Sequence, residues 1–108
     1  MIEILLGSRV KEEILLFLIK NDEYYPTQLA RILNYALISI QRQSDRLEEA
    51  GVVISNLKGK TRIYRFNPRY YFINELKTLM EKVYKSLPEE DKEKYIIRKR
   101  PRRRGKPY

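Results

Sequence analysis

Ala36-Leu37-Ile38-Ser39-Ile40-Gln41-Arg42-Gln43-Ser44-Asp45-Arg46-Leu47-Glu48-Glu49-Ala50-Gly51 is the stretch whose reading decides the fold. Ile40, Ser44 and Leu47 recur at spacings of four and three, so they share one face of a helix. Leu37, Ile38, Ser39, Gln41, Arg42 and Arg46 then fall on the opposite face and its edges. Gly51 follows directly and supplies the left-handed residue on which helices commonly end. The spacing predicts a helix from about Ala36 to Ala50 with an apolar inner side and a polar outer one.

Upstream, Asn34 marks a tight turn, because asparagine tolerates the left-handed conformation. Before it, Pro26 suits the first turn of a helix whose core face is Leu29, Ile32 and Leu33. Tyr24 and Tyr25 are expected to form a short edge strand. Earlier still, Val10, Ile14, Phe17 and Leu18 keep helical spacing behind Ser8 as N-cap, and Asn21-Asp22 ends that helix.

Downstream, Val52 to Leu57 and Thr61 to Phe66 are β-branched and aromatic runs around Lys58-Gly59-Lys60, which reads as a hairpin. Asn67-Pro68 ends its second strand. Ile73, Leu76, Met80, Val83 and Leu87 then repeat at threes and fours over two heptads, too short for an independent coiled coil. This seam can fold back on its own domain or pair across a two-fold axis. Pro88 closes it, and Glu89, Glu90 and Asp91 suit the start of one more short helix. The expected class is α+β, mostly helical: three helices, a hairpin and a C-terminal helix in residues 1–87, a short helix or linker at 88–97, and a basic tail at 98–108.

Composition narrows the function. The chain has 108 residues, 43% of them hydrophobic, which suits one domain with one core. It has neither cysteine nor histidine, so disulfides, thiolate or imidazole metal sites and Cys- or His-based nucleophile pairs are excluded. No carboxylate cluster has ligand spacing, no set of nucleophile, base and orienting group can be assembled, and no cofactor is expected. No apolar run reaches the ~20 residues of a membrane span. Met1 to Leu6 carries Glu3 and lacks a basic start, so it does not read as a signal peptide. A cytoplasmic, nucleoid-associated protein is expected. High Glu, Lys and Arg without Cys faintly suggests a thermophile.

The formal charge is +9, and its placement is informative. Residues 98–108 hold seven of the 23 Lys and Arg residues and none of the 14 acids. A second bias runs from Glu49 to Glu75, where no acid intervenes but Lys58, Lys60, Arg62, Arg65 and Arg69 occur. Clustered cations of this kind are the footprint of a polyanion binder. Arg98, Lys99, Arg100, Arg102, Arg103 and Arg104 are candidates to contact phosphates from a tail expected to be disordered alone.

A helix, a tight turn and a second helix, followed by a hairpin with a cationic tip, is the order of a winged helix-turn-helix. The sequence also resembles one group in particular. Leu6-Gly7-Ser8-Arg9, Ile14-Leu15, Gln28-Leu29-Ala30-Arg31 and above all Ile40 to Val53 carry the likeness, continued by Gly59, Tyr64, Asn67-Pro68 and Glu75-Leu76. Over roughly residues 5–85 these resemble ArsR-like winged-helix regulators, nearest a short prokaryotic subgroup. Some members of that subgroup are fused to a minimal nucleotidyltransferase domain, which has no counterpart here. The resemblance implies DNA binding, transcriptional regulation and dimerisation. It does not extend to metal sensing, since the ligating cysteines and histidines are missing. Ser44 stands where the group has a core leucine, an expected weak point of the third helix. Ala36 stands where a Ser or Thr cap is usual, and Asn34 replaces a common turn glycine.

On this reading the third helix enters the major groove of double-stranded DNA, with Gln41 and Arg42 on base edges and Leu37 and Ile38 beside them, Ile38 against a thymine methyl. Ser39, Gln28 and Arg46 are expected on phosphates, as are Lys58, Lys60 and Arg62 of the wing. The same cations also serve simply to blunt an exposed hairpin edge. Homodimerisation is expected through Ile73, Leu76, Met80, Val83 and Leu87 together with the N-terminal segment. The nine tyrosines raise the alternative of a small-molecule pocket, against ordinary core packing. Rival functions are a sequence-tolerant DNA-coating protein and an RNA-binding or protein-docking module.

Overall fold

The computed structural model describes residues 1–96; the tail positions from Arg98 to Arg104 lie outside them. The described residues form an α+β fold of six α-helices and one three-stranded antiparallel sheet. In order these are α1 (Glu3–Leu6), α2 (Arg9–Asn21), β1 (Glu23–Tyr24), α3 (Pro26–Leu33), α4 (Leu37–Glu49), β2 (Val53–Lys58), β3 (Thr61–Phe66), α5 (Ile73–Ser86) and α6 (Glu89–Lys92). A single 3-10 turn, Glu93–Tyr95, follows α6.

α2 is the central element. Ser8 caps it, its Oγ accepting from the Lys11 N–H at 3.1 Å. Ile14, Leu15, Leu16, Phe17 and Leu18 are all buried, so this helix is covered on every side rather than along one stripe. α5 packs along it, α4 and β1 border it, and the 3-10 turn closes over it. Asp22 ends it with φ 72°, as the Asn21-Asp22 pair predicts.

α3 begins at Pro26 and stops at Asn34, whose φ of 62° lets the Tyr35 N–H reach back to the Ala30 carbonyl at 3.1 Å. α4 ends in the same manner at Gly51, φ 82°. There the Gly51 N–H donates to Glu48 O and the Val52 N–H to Leu47 O, both at 3.0 Å, which satisfies two terminal carbonyls.

The sheet order is β1-β3-β2, so the two-stranded hairpin gains a short third strand along β3. The extra strand is Glu23–Tyr24, one residue earlier than the Tyr24-Tyr25 reading. Its pairing with Tyr64 and Arg65 of β3 anchors the hairpin base to the end of α2. Lys58 faces Thr61 across a two-residue turn, Gly59-Lys60. Gly59 alone of the two has positive φ, 63°, so glycine takes the first central position of the turn.

Ser44 is fully buried, and its Oγ meets the Tyr24 hydroxyl at 2.6 Å. Tyr24 in turn stacks on Tyr64, with centroids 5.3 Å apart and planes 10° from parallel. The Ile73–Leu87 seam is spent inside the chain. Ile73, Met80 and Val83 are buried, and Leu76 and Leu87 are half-buried against the same core. Within the chain these side chains therefore pack on the core around α2.

After Pro88 the chain turns back over α2. Tyr95 is buried edge-on to Tyr84, with centroids 6.4 Å apart. Asn21 Nδ2 donates to the Tyr95 carbonyl at 2.6 Å, and Lys94 Nζ donates to Glu13 Oε1 at 3.3 Å. Glu13 also accepts, at Oε2, from Arg9 Nε at 3.3 Å and from the Tyr35 hydroxyl at 3.0 Å. A buried carboxylate is tolerated only with such company. Among the described residues no helix is long and apolar enough to cross a membrane.

Candidate nucleic-acid interface

α4 is held by its inner face and by both ends. Ile40, Ser44 and Leu47 are buried against α2, α3 and the sheet, which leaves the opposite face outward. Gln41, Arg42 and Arg46 are exposed, and Ser39 is half-buried. At the first turn two large apolar side chains reach the surface, Leu37 37% and Ile38 58% exposed. Ala36 gives α4 no side-chain cap, as the sequence implied, although its carbonyl accepts from Ser39 and Ile40.

The β2–β3 hairpin stands beside this face. Alternation along the paired strands puts Ser55, Leu57, Arg62 and Tyr64 on the side facing α4 and puts Lys58 on the other. Arg62 Nη1 donates to Ser55 Oγ at 2.9 Å, and that hydroxyl donates to Glu48 Oε2 of α4 at 2.7 Å. The chain of contacts ties the hairpin to the helix and turns Arg62 away from the tip. Between the two elements lies a groove of about 430 Å³. Pro26, Ile38, Gln41, Arg42 and Asp45 bound it on the helical side, and Arg62 and Tyr64 on the strand side.

The candidate residues thus separate into groups. Leu37, Ile38, Gln41 and Arg42 form one exposed patch on α4, and Arg62 joins Gln41 and Arg42 at the groove. Lys58 and Lys60 are exposed at the hairpin end, Lys58 on the face opposite Arg62. Gln28 is half-buried, and its Oε1 accepts the Tyr25 N–H at 3.3 Å at the start of α3, so part of its side chain is committed to capping. Arg98, Lys99, Arg100, Arg102, Arg103 and Arg104 lie outside the described residues.

Sequence reasoning missed Asp45, Glu48, Ser55 and Tyr64 as members of this region. The signal was present in the i,i+3 spacing of Arg42 and Asp45 and in the two-residue alternation of β3. It needed the register set by the Gly59 turn to be readable. The charge is also less uniform than the acid-free run after Glu49 implied, since Asp45, Glu48 and Glu49 make the C-terminal half of α4 acidic.

Four of the tyrosines belong to the core: Tyr24, Tyr64, Tyr84 and Tyr95 are buried. Burial pushes the Tyr24 and Tyr95 phenols well above the ordinary tyrosine range. Tyr35 is pushed up to about 12, first by desolvation and then by its bond to the Glu13 carboxylate. Tyr71 and Phe72 are instead 87% and 53% exposed and meet edge to face at 4.9 Å. Among the described residues no group of acidic side chains is placed to hold a metal ion. Compared with known proteins, the chain matches no family model, no curated protein and no solved structure.

Proposed function

We propose that the chain is a sequence-specific DNA-binding transcriptional regulator with a winged helix-turn-helix, α3 and α4 forming the helix pair and the β2–β3 hairpin the wing. One observation carries the reading. α4 buries Ile40, Ser44 and Leu47 while presenting Gln41 and Arg42 outward, next to a hairpin that carries Lys58, Lys60 and Arg62. A helix of 13 residues is roughly 20 Å long and fits the major groove, where Gln can pair with adenine and Arg with guanine through two bonds each. The hairpin cations then meet phosphates on the flank. The likeness to ArsR-like regulators points the same way.

The acids of α4 favour this reading over indiscriminate DNA coating. A coating surface gains affinity from every cation and loses it from every acid, and Asp45, Glu48 and Glu49 sit beside the proposed contact face. A helix that enters by its N-terminal half keeps those acids clear of the bases. Homodimerisation on a two-fold symmetric site remains part of the proposal. Its surface is sought at exposed Ile4, Leu5, Tyr71 and Phe72, since the α5 seam is internal. A cytoplasmic location on the nucleoid follows from the same proposal.

Selection of bound sites from random duplex DNA at about 0.15 M salt tests it. A clear consensus is expected. Equal recovery of scrambled duplexes, or preferential capture of structured RNA in competition, contradicts it.

A further inference from the structure

The first turn of α4 carries a feature that phosphate binding does not use. Leu37 and Ile38 are large, apolar and exposed, while Ile40 two positions on is fully buried. Gln41 lies three residues beyond Ile38 and four beyond Leu37, so the three side chains are surface neighbours. The major-groove edges of the four base pairs are almost wholly polar. The thymine C5-methyl is the apolar group displayed there, and its partner adenine offers the donor–acceptor pair that a glutamine amide matches.

Resting on the reading of α4 as a groove-entering helix, we infer that its N-terminal turn selects consecutive A·T base pairs. Leu37 and Ile38 pack on thymine methyls, and Gln41 pairs with the adjacent adenine. The occupant is duplex DNA rather than an apolar protein surface because the patch is continuous with Arg42 and faces Arg62 across the groove, two cations against the single acid Asp45, a balance that fits a polyanion.

The test uses the whole chain and the duplexes recovered from random DNA. Each thymine of the selected site is replaced in turn by deoxyuridine, which deletes the methyl and nothing else. At one or two positions under α4 the wild type should lose about fourfold in affinity, the worth of one buried methyl. Ile38→Ala, a change at an exposed position, should abolish that sensitivity at one of them while retaining the wild-type fold. A consensus with uniform insensitivity to deoxyuridine overturns the inference and leaves the DNA-binding reading standing, as does a consensus of G·C pairs under α4. Self-association lost in Ile38→Ala with unchanged deoxyuridine response overturns it in favour of a contact between copies. Absence of any consensus overturns the DNA-binding reading and this inference together.

Discussion

The hydroxyls of Tyr24 and Ser44 meet at 2.6 Å in a part of the core from which water is excluded, joining β1 to the middle of α4. Burial keeps water from replacing either partner, and an unsatisfied buried hydroxyl costs about 1–3 kcal/mol. Ser44→Ala should therefore lower the unfolding free energy by that amount in urea titration. Removing both partners, in Ser44→Ala with Tyr24→Phe, should cost less than the sum of the two single changes. Strict additivity would mean that the two hydroxyls do not act as a pair.

Glu13 gathers three elements onto one carboxylate: Arg9 of α2, Tyr35 in the α3–α4 turn and Lys94 of the C-terminal segment. Arg9 and Lys94 are substantially exposed and can return to water if released. Glu13→Gln should accordingly cost a moderate ~1–2 kcal/mol rather than the full penalty of stranding a buried charge. It should also raise amide exchange in residues 89–95 more than in α2. Equal effects on both segments would show that Glu13 does not hold the C-terminal turn in place.

Alkaline pH should weaken the fold. The Tyr35 phenol is pushed up to about 12 in the folded state, above the ordinary value of 10.0. The folded state thus holds a proton that the unfolded state releases first. The stabilisation is complete below pH 10 and is lost as pH rises toward 12. Tyr24, Tyr64 and Tyr95 shift in the same direction, so they add to the trend. Thermal melts between pH 8 and 12 should show Tm falling above about pH 10, and Tyr35→Phe should make the fall shallower. A Tm independent of pH over that range would contradict the placement of these phenols.

What the sequence disclosed follows from how local each signal is. Asp22, Asn34, Gly51 and Gly59 all take the positive φ that their residue types suit, so helix ends and the hairpin turn were readable within a few residues. The inward face of α4 was readable for the same reason. The partner of Ser44 was not readable, because Tyr24 lies 20 residues away and on another element. The α5 seam left two outcomes open because periodicity reports that a stripe is apolar, and α2, whose own side chains are apolar on every side, is what covers it. Tyr95, buried against Tyr84 after a charged stretch, offered no periodic signal at all.

The seam makes its own prediction. Met80 is fully buried within the chain, so Met80→Ala should destabilise by about 2–5 kcal/mol through loss of packing and creation of a cavity. Because the contact is internal, the size of the Tm shift should not depend on protein concentration. A shift that grows on dilution would return the seam to a subunit interface.

The central claim, that the outward face of α4 reads DNA, is tested most directly by fluorescence anisotropy of Gln41→Ala and Arg42→Ala against a selected duplex and a scrambled one. Each substitution should weaken binding to the selected site by roughly 5- to 150-fold, the worth of one two-bond base contact, and leave the scrambled duplex nearly unchanged. Equal loss on both duplexes, or no loss on either, would contradict the account.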